Sequence, residues 1–176
     1  LPATSLIRPP TVSVGLVPLE TVAILATLAP KADEAGSMRS EIESLGGQAL
    51  LIALSLVGDS ELSTDVTKQE VISAGGGNLA ELLVKPNREQ SNPFIVAGAT
   101  KIVKELQESG GIHAVVSLGG TQGTSTCAPI LQALPYGFPK VMLSTAASGD
   151  TSPFVGIKDI TMMFAVSDIL GLNVFS

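Results

Sequence analysis

The residue types best suited to chemistry cluster in the stretch Leu118-Gly119-Gly120-Thr121-Gln122-Gly123-Thr124. The apolar run Ile112–Leu118 stops at a glycine pair, a polar glycine-spaced loop follows, and an amphipathic run begins directly after it. Strand, glycine loop and helix start in that order make an anion site. The glycines let backbone N–H groups approach a ligand, and the helix N-terminus adds the positive end of its dipole. No Gly-Lys-Ser/Thr follows and the spacing is not G-x-G-x-x-G, so neither the Walker pattern nor the dinucleotide fingerprint is present. On spacing alone, the competing reading is a tight strand-to-helix turn that binds nothing. A second loop, Ser144-Thr145-Ala146-Ala147-Ser148-Gly149-Asp150, supplies hydroxyls, a glycine and a carboxylate, which suit a sugar or phosphate better than an apolar ligand. A third lies at Ala29–Glu34, where Lys31 either reaches a phosphate or is simply solvated.

These loops need a scaffold that brings them together. Val22–Leu28 is a short continuous apolar run of the buried parallel-strand type. Pro30 suits a helix start; Ala35, Met38, Ile42 and Leu45 recur at helical spacing, and Gly46-Gly47 stops the helix. Ala49–Leu56 reads as a second strand, and Asp65 as the cap of a helix reaching Ala74, ended by Gly75-Gly76-Gly77. Asn78 caps a short helix to Val84, and Pro86–Asn92 reads as a polar linker. Ile95, Ala99, Ile102, Val103 and Leu106 stripe a longer helix closed by Gly110-Gly111. Ile112–Leu118 is the third strand, followed by a helix with Cys127, Leu131 and Leu134 on its core face. Lys140–Leu143 and Asp159–Ala165 are the fourth and fifth strands, and a helical turn near Asp168–Leu172 precedes the end. Strands alternating with helices predict an α/β fold: a Rossmann-like open parallel sheet of about five strands with helices on both faces. In the order 2-1-3-4-5 the loops after the first and third strands converge at the switch point, with the fourth closing one side. The segment Gly58–Asn92 exceeds a simple crossover and reads as a lid or contact surface.

Composition narrows the classes of function. At 176 residues, 45% hydrophobic and 15% charged, the chain fits one ordinary globular domain with much buried aliphatic sheet. A net charge of −6 without a Lys/Arg cluster argues against nucleic acid as a partner. The apolar runs fall far short of the ~20 residues a membrane span needs. A single cysteine rules out an intrachain disulfide framework and fits a reducing, cytoplasmic setting. Residues 1–21, with Pro2, Pro9, Pro10 and Pro18, read as an extended arm ahead of the domain at 22–176. Leu1 in place of Met reads as a processed, trimmed or excised chain. Few charges and a high aliphatic fraction predict an exposed apolar face and a homo-oligomer, with contacts over Thr161–Phe175 and the arm Leu1–Leu16.

Several motifs converge on one family. Leu118–Thr124, then Leu134-Pro135-Tyr136-Gly137-Phe138-Pro139-Lys140, then Ser144–Asp150, Asp159–Phe164 and Gly171-Leu172-Asn173 occur in its order. The chain resembles the N-terminal, ATP-binding domain of the tomato mosaic virus resistance protein family, which includes many bacterial and fungal members. The resemblance is most specific over Ile112–Ser176 and extends back to about Val22. It implies a nucleotide, ATP with Mg2+ as a companion ion, and a second α/β domain or separate chain as a neighbour. It also implies phosphate contacts from Gly119, Gly120, Thr121, Gln122, Gly123 and Thr124, and polar contacts from Ser144, Thr145, Ser148, Gly149, Asp150, Thr27 and Lys31. The first loop departs from the family pattern Gly-Thr-Leu-Asp-Thr-Lys-Gly-Glu-Glu. Here Ala26-Thr27-Leu28-Ala29-Pro30-Lys31-Ala32-Asp33-Glu34 keeps Thr27, Leu28, Lys31 and Glu34 and lacks the Asp, the second Thr and both glycines. Ala53 likewise stands where the family's second strand commonly ends in Asp. These losses remove groups that could hold a metal or a ribose.

The remaining chemical side chains read as structural. His113 precedes a strand at its amino end, Cys127 packs in the core, and Ser117 and Ser125 sit in no nucleophile elbow. Asp150 and Asp168 are cap or turn residues, or metal or sugar contacts. The expectation is a nucleotide-binding regulatory or interaction domain. The alternatives are part of an enzyme acting on a phosphorylated or carboxylated metabolite, or a structural domain whose site has decayed.

Overall fold

The computed structural model describes residues 20–58 and 61–166. The arm expected over residues 1–21 falls outside them apart from Glu20 and Thr21, and the turn expected at Asp168–Leu172 lies wholly outside. Five strands, β1 (Thr21–Ala26), β2 (Gln48–Ala53), β3 (Ala114–Gly119), β4 (Lys140–Ser144) and β5 (Thr161–Phe164), form one sheet in the order β2-β1-β3-β4-β5. Every pairing is parallel. Six helices accompany them: α1 (Leu28–Ser44), α2 (Lys68–Ala74), α3 (Leu79–Val84), α4 (Arg88–Glu108), α5 (Thr121–Gln132) and α6 (Ser152–Val155). This is the Rossmann-like α/β arrangement that the alternating runs predict.

Strand alternation divides the core. Ala23, Leu25, Ile52 and Val115 face α2, α4 and α5 in one cluster. Ile24, Ala26, Leu51, Ala53 and Leu118 pack on the other side against Leu28 and Ala35 of α1. Each buried Leu or Ile contributes about 1.5–3 kcal/mol. The α1 layer does not extend over the far end of the sheet, where Val141 is 38% and Met163 62% exposed. Helices α2 and α4 touch backbone to backbone. A Cβ on Gly98 would lie 1.8 Å from the Val71 carbonyl oxygen, and one on Gly75 2.0 Å from that of Phe94. Only glycine fits such an approach. Among the described residues no helix is long and apolar enough to cross a membrane.

Several boundaries differ from expectation. β1 stops at Ala26, in register with Ala53 of β2, because Thr27 takes the N-cap position and Leu28 starts α1. That helix breaks at Lys31 (φ −136°, ψ 27°), one residue after Pro30. β2 ends at Ala53; Leu54 N–H still donates to Ala26 O at 3.0 Å, and the chain then turns across the carboxyl end of the sheet. Asp65 does not cap α2. Thr67 does, in a capping box with Glu70, whose carboxyl the Thr67 backbone and hydroxyl hold below its ordinary value. Asp65 instead accepts from Leu51 N–H at 2.8 Å and pairs with Arg39. The stretch expected as a linker, Pro86–Asn92, is mostly helix, since Asn87 caps α4 by accepting from Glu89 and Gln90 N–H. At the amino end of the sheet, His113 Nδ1 accepts from Thr21 N–H at 3.0 Å, a structural role as expected.

Candidate functional site

The order of the strands places β1 and β3 side by side at the point where the chain reverses its direction of winding. Beyond their carboxyl ends lies a cavity of about 640 Å3, within the range of small-molecule sites, roughly 300–1,000 Å3. Thr27 and Lys31 of the first loop, Ser55 and Leu56 after β2, Asn87, Arg88 and Asn92 of α4, and Gly120, Thr121, Gln122 and Gly123 line it. The loops after β1 and β3 therefore do converge. A Cβ on Gly123 would lie 3.8 Å from Thr27 Oγ1.

The start of α5 forms the polar floor. Gly120 is its N-cap in extended conformation (φ −72°, ψ −169°), and no side chain caps the helix. The first-turn N–H groups of Thr121, Gln122 and Gly123 are thus left for a ligand or solvent. Thr124 Oγ1 turns inward, within hydrogen-bond distance of Gly120 O at 2.9 Å and of Ser144 Oγ at 2.6 Å. None of the loop glycines has a positive φ. Space is what requires glycine at Gly119, where a Cβ would fall 2.9 Å from Gly123 Cα.

Two cations reach the cavity. The Lys31 side chain is only 8% exposed; its ammonium lies 3.7 Å from Glu34 Oε1 and has no hydrogen-bond acceptor among the described residues. The break in α1 at Lys31 is part of what places this residue in the wall. Arg88 comes from the first turn of α4. One terminal nitrogen donates to Gln122 Oε1, and the other to Gln122 O at 2.9 Å and Thr126 Oγ1 at 3.2 Å. Thr126 in turn donates to Asn92 Oδ1 at 2.7 Å. Among the described residues no Asp or Glu lines the cavity.

The residues expected at the site thus fall into two groups. Thr27, Lys31, Gly120, Thr121, Gln122 and Gly123 share the cavity wall. Gly119, Thr124 and Ser144 lie buried beneath the loop, and Thr145 sits beside it, its Oγ1 3.6 Å from where a Gly120 Cβ would be. Ser148, Gly149 and Asp150 are exposed and outside the wall. Ser144 caps the 3-10 turn Thr145–Ser148, accepting from Ala146 N–H at 2.9 Å. Asp150 accepts from the Ser152 hydroxyl and N–H, which hold its carboxyl below the ordinary value. It is a turn residue in this arrangement. Asn87, Arg88 and Asn92 were not among the expected residues. Their signal was Asn87-Arg88-Glu89-Gln90, a cap followed three residues later by Gln.

Nucleophilic chemistry finds little here. Burial pushes the Cys127 thiol up to about 12, so at neutral pH it is an inert core group. Ser117 Oγ is buried beside the Cys127 thiol in the core, outside the cavity wall. Among the described residues no group of three His, Cys, Asp or Glu could hold a metal ion.

Comparison with known proteins places the chain. Residues 20–176 match the model described as the Uncharacterised protein family (UPF0261) N-terminal domain, and the chain belongs to that family. It is 41% identical over 155 residues to a UPF0261 protein of Clostridium tetani and 32% identical over 155 residues to one of Rhizobium meliloti. Each match covers 88% of this chain and 38% of the relative, so the chain spans well under half the length of these relatives. A shorter stretch of 62 residues, 35% of this chain and 8% of the other, is 44% identical to the ToMV resistance protein Tm-1(GCR237) of Solanum lycopersicum.

Proposed function

Taking the chain as an N-terminal domain of that family, we propose that it binds ATP or a closely related nucleotide through its phosphates, as a regulatory or interaction domain. One observation carries the reading: the uncapped N-terminus of α5 shares its cavity with two cationic side chains, Lys31 and Arg88, and no carboxylate lines that cavity among the described residues. Glu34 already pairs with the Lys31 ammonium at 3.7 Å, so the pull on a further anion comes from the helix terminus together with the second cation, Arg88. Leu54, Leu56 and Ile95 supply apolar wall for a base or ribose face. Mg2+ enters this reading with the nucleotide, held by phosphate oxygens rather than by protein carboxylates. The single cysteine supports a cytoplasmic setting for the same activity.

Calorimetry and thermal shift with ATP and ADP test the proposal. A bound nucleotide raises stability by about 2.7 kcal/mol at a hundredfold excess over its dissociation constant. No shift at millimolar nucleotide overturns it. The alternative, an enzyme acting on a phosphorylated or carboxylated metabolite, draws on the same wall, in which the described residues include no carboxylate. It lacks a nucleophile–base pair among the lining residues. Mass spectrometry of ligands that co-purify separates the two: a sugar phosphate or organic acid favours the enzyme, an adenine nucleotide the binding domain.

A further inference from the structure

We propose that Arg88 reads the charge of the ligand at this cavity, and that the side chain of Gln122 serves to position Arg88 rather than to touch the ligand, its backbone N–H remaining part of the α5 terminus. The assignment rests on the nucleotide-phosphate reading above and adds to it the residue that grades one phosphate chain against another.

The geometry is that of a prepared guanidinium. Arg88 donates three hydrogen bonds, two to Gln122 and one to Thr126. A guanidinium has five N–H groups, so Nε–H and one terminal N–H stay unspent. No carboxylate pairs with it among the described residues, which leaves its charge uncompensated at a cavity it lines. Thr126 spends its own proton on Asn92 Oδ1, so it meets Arg88 as an acceptor. Fixing the fork in advance removes much of the entropy cost that a free arginine meets on binding. Lys31 is nearly buried whereas Arg88 is exposed, so the two cations sit at different depths. A monophosphate engaging the α5 terminus and Lys31 leaves Arg88 idle. A longer phosphate chain reaches it. Gln122 spends its side-chain oxygen and its carbonyl on Arg88, which takes both away from the ligand.

The test is calorimetric titration of the 176-residue chain with ATP, ADP and AMP, for the parent, Arg88→Gln, Gln122→Ala and the double variant. Arg88→Gln is expected to weaken ATP by roughly tenfold or more and AMP by about twofold or less, the scale of a lost charge-assisted hydrogen bond. Gln122→Ala is expected to weaken ATP by about threefold alone and by nothing further in the Arg88→Gln background, the signature of residues acting as one unit. Equal losses for ATP and AMP in Arg88→Gln overturn the assignment, as does a Gln122→Ala effect that adds in full. Arg88→Lys, which keeps the charge without the fork, replaces Arg88→Gln if circular dichroism shows that variant unfolded; it should narrow the ATP-to-AMP ratio in the same sense. If the parent binds no nucleotide, the reading beneath falls and takes this assignment with it.

Discussion

Lys140 Nζ lies 2.8 Å from Asp159 Oδ1, joining the start of β4 to the residues that lead into β5. The lysine side chain is fully buried, and its ammonium also donates to Pro135 O and Phe138 O, each at 2.7 Å. The cation therefore gathers three acceptors from the turn between α5 and β4 and from the far side of α6. Lys140→Met keeps the stem but removes the charged donor from both carbonyls and from Asp159. We expect a loss of about 1.5–3 kcal/mol, the scale of hydrogen bonds to a charged group, with no change in ligand affinity. Urea denaturation measures it, and an unchanged midpoint contradicts the account.

Acid should unfold the protein through the same carboxylate. The Lys140 ammonium and the Gly137 N–H hold the Asp159 carboxyl below its ordinary value of 3.8. Asp150 and Glu70 are lowered likewise by Ser152 and Thr67. A carboxyl whose folded value is depressed contributes stability that is fully present above the unfolded value and lost as pH falls through the folded one. The urea midpoint should therefore stay level with respect to these groups above about pH 5 and fall as the pH drops below 4. Asp159→Asn should flatten that fall; an unaltered acid limb assigns the loss to other groups.

The contact between α2 and α4 reverses an ordinary rule. Ala in place of Gly within a helix usually stabilises by about 0.5–1 kcal/mol. At Gly98 the added methyl would stand 1.8 Å from Val71 O, so the helices must part. We expect Gly98→Ala to destabilise by about 3 kcal/mol, the upper range of overpacking. A neutral or stabilising result means that α2 yields at little cost.

Gly123 makes the opposite case. Its added Cβ would meet Leu118 O at 3.6 Å and Thr27 Oγ1 at 3.8 Å, ordinary contacts, and its φ is not positive. Gly123→Val should fold, while its branches crowd the N–H groups at the floor of the cavity. ATP affinity should drop at least roughly tenfold by calorimetry, following the loss of close backbone approach. Parent-like affinity in the folded variant moves the phosphate site elsewhere.

Association is expected at the exposed edge of the sheet. Among the described residues β5 has one neighbour, β4, and Met163, Phe164 and Val166 are 62%, 40% and 73% exposed. An edge with apolar side chains is a template for pairing, and a second copy of this chain carries the same edge. Light scattering over a concentration series should show a dimer that Met163→Lys disperses. A monomeric parent at high micromolar concentration rules this out.

Much of the scaffold could be read from residue patterns, because buried parallel strands and their glycine stops are local signals. The runs at Val22, Ala49, Ile112 and Lys140 all become strands, while alternation with helices leaves more than one strand order open, of which 2-1-3-4-5 is the one adopted. Errors arose where two local signals competed. Thr67 and Asp65 both precede α2, and the nearby Glu70 decides for Thr67. Pro93 lies inside α4 and hid its first turn from the apolar period that starts at Ile95. That hidden turn carries Arg88, so this side of the cavity wall escaped a reading based on glycine loops. Ser148, Gly149 and Asp150 show the converse: residues expected beside the glycine loop that the 3-10 turn directs elsewhere.

The polar fastenings at Lys140, Asp159, His113 and Thr21 all sit where strands begin, while the cavity opens where strands finish. The sheet thus separates two inheritances along a single axis. An engineer who rebuilds the entry side leaves the exit side untouched, and one who reshapes the cavity does not disturb these fastenings. Robustness and novelty can be sought in this domain independently.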